Sequence, residues 1–140
     1  MIGIVIVTHG QLGAELLRAA ELMIGGQPKC QTVAIEMNIS PDYLSDLIGK
    51  AVKLQEGGQG VLILTDMFGG TPSNISLSFH EDGKVEVLTG ANLPMLLRAL
   101  DLRETAGMTL AKLAAAVTEY ARKSINLAGD LIKPRSAGGK

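Results

Sequence analysis

The sequence predicts an α/β protein, an open and mostly parallel doubly wound sheet of four parallel strands with helices on both faces. Three observations predict it. Four short apolar runs, most of them rich in Val and Ile, alternate with helical patterns, and strands separated by helices pair in parallel. The runs at 2–8 and 60–65 are apolar almost throughout, without the alternation of a half-exposed strand, which marks strands covered on both faces. Glycine pairs and a Ser-Pro start stand where helices should end and begin.

The first strand is Ile2-Gly3-Ile4-Val5-Ile6-Val7-Thr8, and His9-Gly10 follow at its exit. A helix comes next, with Leu12, Leu16, Ala19, Ala20 and Met23 spaced for one face, and Gly25-Gly26 stop it. Thr32–Ile35 is a short second strand. Ser40 caps the following helix and Pro41 takes its first position, with Leu44, Leu47, Ile48, Ala51 and Val52 as the apolar face. Gly57-Gly58 close it before the third strand, 60–65. A brief helix is expected from Thr71 as N-cap and Pro72 as first helical residue to near Phe79. Glu81–Lys84 turn into the fourth strand, Val85–Thr89. A helix over Leu93–Leu102 and a long one over about 108–126 complete the pattern, the latter with Leu110, Leu113, Ala114, Val117 and Ala121 on one face. The expected domain is 1–132, and 133–140 has the composition of a flexible tail.

At 140 residues the chain is long enough for one domain with a real core. Aromatics are 3% of it, so the core is packed from Val, Ile, Leu, Met and Ala, and Met23, Met95 and Met108 are expected as core filler. A net charge of −1 without a basic stripe excludes a nucleic-acid surface. The single cysteine, Cys30, rules out an internal disulfide and is expected to pack at a strand edge. The N-terminus runs into the first strand without a signal core, and no apolar run nears the ~20 residues that span a bilayer, so a cytoplasmic location is expected.

Chemistry concentrates at two strand exits. In an open parallel sheet, ligands collect beyond the carboxyl ends of the strands at the switch in strand order. His9 leaves the first strand there and Asp66 leaves the third, followed by Met67-Phe68-Gly69-Gly70-Thr71-Pro72-Ser73-Asn74. A carboxylate accepting from Nδ1–H fixes the imidazole tautomer, points Nε2 outward as a nucleophile, and stabilises the cation formed on attack at phosphorus. The helix start after Gly69-Gly70 offers unpaired N–H groups and a dipole to a phosphate, and the glycines let backbone approach closely. Gly69, Gly70, Thr71 and Ser73 are therefore the candidate phosphate-binding residues. Phosphoryl transfer needs mainly positioning and charge stabilisation. Taken singly, each part has a plainer reading: a capping histidine, a turn-forming aspartate, an ordinary capped helix.

Other chemistries find little support. His80 lies in a polar turn at the opposite edge, so it joins no zinc site with His9 and Asp66. The phosphate loop of nucleotide-binding proteins is missing, so direct use of ATP is disfavoured, and no cofactor or metal is expected. An aspartate-phosphorylated signalling module would need an acidic pair after the first strand to hold Mg²⁺, where this chain has Thr8-His9. A non-catalytic dimeric binder of small anions is the third alternative.

Val7-Thr8-His9-Gly10, Asp66–Asn74 and Gly90-Ala91-Asn92-Leu93-Pro94-Met95-Leu96 resemble the three signature blocks of the mannose-type enzyme IIA of the bacterial sugar phosphotransferase system. The resemblance runs from residue 1 to about 126. It implies that His9 accepts a phosphoryl group on Nε2 from the histidine-containing phosphocarrier protein, with Asp66 as orienting carboxylate. The group then passes to a IIB protein that phosphorylates the incoming sugar, so contact with the membrane is indirect, through a permease complex. Because many members continue into a IIB domain and this sequence stops at Lys140, the expected acceptor is a separate protein. Some members serve regulation without a dedicated permease. The resemblance further implies that Thr71 stands where some members have serine and that Phe68 replaces a tryptophan found in others. It also implies a homodimer in which an antiparallel C-terminal strand, near Ile125–Ile132, crosses to the partner.

Overall fold

The computed structural model describes residues 1–133. Four strands form one parallel sheet: β1 (Gly3–His9), β2 (Cys30–Ile35), β3 (Val61–Thr65) and β4 (Val85–Thr89), in the order β2-β1-β3-β4. The helices are α1 (Leu12–Ile24), α2 (Pro41–Gln55), α3 (Gly70–Leu77), α4 (Leu93–Leu102), α5 (Leu110–Lys123) and α6 (Ala128–Ile132).

Because side chains alternate across a strand, an unbroken apolar run feeds two cores at once. Ile4, Ile6, Leu62 and Leu64 pack with α1, α4 and α5 through Ala20, Leu96, Leu100, Leu113 and Val117. Val5, Val7, Val61 and Ile63 face the other way, against Leu44, Ile48 and Ala51 of α2 and the partly buried Ile75 of α3. Gly3 makes the close approach of β1 to α2 possible, since a Cβ there would overlap the Gln55 carbonyl. Cys30 is partly buried at the start of β2; burial pushes its thiol up to about 11 against the opposing pull of Arg103, as a packing residue requires.

Several expectations are corrected. Leu12 and Met23 are exposed, whereas Ala20 and the partly buried Leu16 of the expected face pack into the core together with Gly13 and Leu17; Met23 is thus no core filler, whereas Met95 is. The middle of the expected face meets the core, and its two ends, Leu12 and Met23, run past the sheet into solvent. The third helix starts at Gly70 with Gly69 as N-cap and no side-chain cap, so Thr71 lies inside the first turn and is not the cap. In the single copy, residues 128–132 form the short helix α6 with no buried residue; the antiparallel strand expected near 125–132 is one that crosses to a partner copy. The segment closes on a local hydrogen bond, from the Asp130 N–H to the Leu127 carbonyl. Of the expected 133–140 tail, 134–140 lie outside the described residues. Among the described residues, no helix is long and apolar enough to cross a membrane.

Candidate functional site

The strand order reverses between β1 and β3: the chain winds outward to β2 on one side and β4 on the other. That places the exits of β1 and β3 side by side. His9 Nδ1 lies 2.8 Å from Asp66 Oδ2, and the His9 backbone N–H donates to the same oxygen at 2.9 Å. One carboxylate oxygen thus fixes both the ring and the main chain of a residue 57 positions away.

Burial raises the Asp66 pKa, but the bonds from His9 and Met67 outweigh it and hold the carboxyl below its ordinary value. An ionised carboxylate only accepts, so Nδ1 carries a proton, and in the neutral ring the lone pair lies on Nε2. The imidazole side chain is 55% exposed while that of Asp66 is 14% exposed. The carboxylate sits within and the imidazole stands at the surface.

Local geometry explains why the ring stands there. The Gly10 N–H donates to the Ile35 carbonyl, which ties the turn after His9 to β2. The buried Thr8 hydroxyl accepts from the Gly13 N–H at 2.6 Å, serving the start of α1, where Gln11 makes no side-chain cap. Sequence reading gave Thr8 no role; a hydroxyl one residue before a strand-exit histidine, five before a glycine, was the available signal. At the other exit, the Ala91 N–H donates to the Thr65 carbonyl, and Asn92 caps α4 through Met95.

Gly69 and Gly70 have φ of +100° and +80°, values a side chain would strain, and they turn the chain from Asp66 into α3. Gly69, Gly70 and Thr71 are exposed beside the pair. Pro72 lacks an N–H, so the first-turn amides open to a ligand are those of Gly70 and Thr71. Ser73 differs from its neighbours. Its side chain is buried, its hydroxyl has no partner, and it lines a narrow notch with His9, Asp66, Thr65 and Ser76, the last two also with unpartnered hydroxyls. His80 stands apart, in the turn before β4, near Asp82 of that turn and Glu86 of the strand. Met67 and Phe68 project their apolar side chains at the rim.

The model of the family described as "PTS system fructose IIA component" matches residues 3–118. The chain belongs to that family. It is 33% identical over 105 residues to the PTS system fructose-specific EIIA component of Bacillus subtilis, covering 74% of this chain and 72% of that one. It is 32% identical over 104 residues to the PTS system mannose-specific EIIAB component of Escherichia coli K12, of which it spans 32%. Among solved structures, the phosphotransferase system component EIIA of Streptococcus agalactiae matches with a TM-score of 0.82 at 29% identity, over 93% of this chain and 99% of that one. The protein is therefore a mannose/fructose-type IIA component of the sugar phosphotransferase system, with the fold of that group.

Proposed function

We propose that this IIA component carries a phosphoryl group on His9 Nε2, taken from the histidine-containing phosphocarrier protein and handed to a IIB protein that phosphorylates the sugar. One observation carries the reading: a carboxylate held ionised grips Nδ1, and the opposite nitrogen is left free on an exposed ring. In the forward step the Nε2 lone pair bonds to phosphorus as the donor's N–P bond breaks and its electrons return to the donor nitrogen. The ring becomes a cation whose Nδ1–H stays on Asp66, and that pairing stabilises it. The next acceptor reverses the process. The first-turn amides of Gly70 and Thr71 take the phosphoryl oxygens at the start of α3, joined by that of the N-cap Gly69. The Ser73 hydroxyl approaches from beneath and contributes least, being buried.

Asp66 as the acceptor is disfavoured by its low exposure and by the commitment of Oδ2 to His9. A regulatory role without a dedicated permease uses the same phosphohistidine. The decisive experiment is labelling with radioactive phosphoenolpyruvate and the general carrier proteins, followed by mapping of the modified residue. An acid-labile, alkali-stable label on His9 is expected. No label, or label retained by His9→Ala, refutes the reading.

The reading includes a homodimer formed by exchange of the C-terminal segment onto β4. Two features support it. β4 is an outer strand whose groove against α5 is floored by Leu88, Ala111, Ala114, Ala115 and Thr118. Ile125, Leu127, Leu131 and Ile132 are exposed on a segment that buries nothing in its own copy. Small side chains leave room for an added strand, and that segment brings the apolar surface to fill it.

A further inference from the structure

We propose that Glu86 is a latch on the outer edge of β4: its carboxylate caps the Val87 N–H that a strand from a second copy must take. The inference rests on the strand-exchange reading above. The backbone of Val85 faces away from β3, because its N–H and carbonyl both bond to Glu81, each at 2.9 Å. Backbone groups repeat their direction every second residue, so those of Val87 and Thr89 face outward as well. Of these three outward positions, the first is closed by the turn. The second is closed by Glu86, whose Oε1 accepts from the Val87 N–H at 3.0 Å.

The latch has a keeper. Glu86 Oε2 lies 3.4 Å from His80 Nε2, which in turn stands 3.5 Å from Asp82 Oδ1. Glu86 also lines the alanine-floored groove, so the carboxylate occupies the entrance that an incoming strand would use. Charged side chains on outer strands guard against unplanned pairing. Here the guard is bonded directly to the edge. Strand addition is a competition for one N–H between the side chain of the preceding residue and a carbonyl of the partner.

The test is the dimer dissociation constant by analytical ultracentrifugation, joined to amide exchange at Val87. Glu86→Ala should tighten the dimer about two- to tenfold, the range of a single competing hydrogen bond. In dilute, monomeric protein the same substitution should speed exchange of the Val87 amide, which the dimer then protects. His80→Ala should act in the same direction but more weakly, and add nothing in the Glu86→Ala background. A weaker dimer in Glu86→Ala, or Val87 exchange indifferent to it, overturns the latch while leaving the dimer in place. Wild-type protein that stays monomeric at every concentration instead defeats the exchange reading, and the latch falls with it.

Discussion

Two polar side chains sit at opposite ends of the sheet and show what separates a structural group from a chemical one. Arg103, just past α4, is 4% exposed and lies by the amino ends of the strands. Its guanidinium donates to the carbonyls of Ile2, Lys29 and Pro28 and to Gln27 Oε1, at 2.6–3.2 Å. Burial lowers its pKa, and the nearby Cys30 and Glu104 oppose that. Nearly all of its capacity is spent on holding the starts of β1 and β2 together. His9, at the carboxyl ends, spends one ring nitrogen on Asp66 and keeps the other. Arg103 spends its terminal N–H groups on backbone and side-chain acceptors and keeps only a buried, unpartnered Nε–H, so it fixes structure; His9 keeps a ring nitrogen on an exposed side chain, where it can react.

The sharpest way to break this contrast is His9→Ala. Phosphoryl labelling should vanish, while urea unfolding shifts by no more than about 0.5 kcal/mol, as for an exposed residue. Arg103→Ala should do the reverse. It takes a donor from four acceptors, the buried Ile2 carbonyl and three partly buried ones, and should cost about 3 kcal/mol of stability, with labelling of the folded fraction unchanged. Loss of labelling with unchanged stability would dissolve the distinction.

Asp66→Asn keeps the shape and loses the charge and the fixed tautomer. Transfer should slow by about 10²-fold in rapid-quench assays. Stability against pH sharpens the assignment further. The folded carboxyl sits below its ordinary value of 3.8, so its contribution is present above that pH and falls away as pH drops through the folded value. The stability difference between wild type and Asp66→Asn, followed by urea titration, should therefore collapse below pH 3.8. The smallest effect is expected from Ser73→Ala: transfer within about threefold of wild type, under ~1 kcal/mol, because the hydroxyl removed is buried and unpartnered.

Much of the fold was legible because its signals are local. Ser40-Pro41 set a helix start by chain geometry alone, and Ser40 accepts from the Tyr43 N–H as a cap should. Gly25 has φ +90° and ends α1 where the glycine pair stood. His9 and Asp66 were legible as a pair because parallel strands with helical crossovers send consecutive exits to one rim. Thr71 misled because its Thr-Pro sequence reads as a cap, while the glycines before it already turn the chain. The ends of the α1 face misled because periodicity cannot tell how far along a helix its contact with the sheet extends. Arg103 gave no signal, since its partners are carbonyls that any residue carries.

The sequence by itself determined which segments are strands and helices, that both sheet faces are covered, and which residues leave the strand ends. Only the tertiary structure decided that β1 and β3 are neighbours, that one Asp66 oxygen holds His9 twice, and that Ser73 turns inward. The physical reason is range. Turns, caps and periodicity are written within a few residues of chain, whereas strand order and the contacts of a side chain depend on how distant apolar faces find their closest packing.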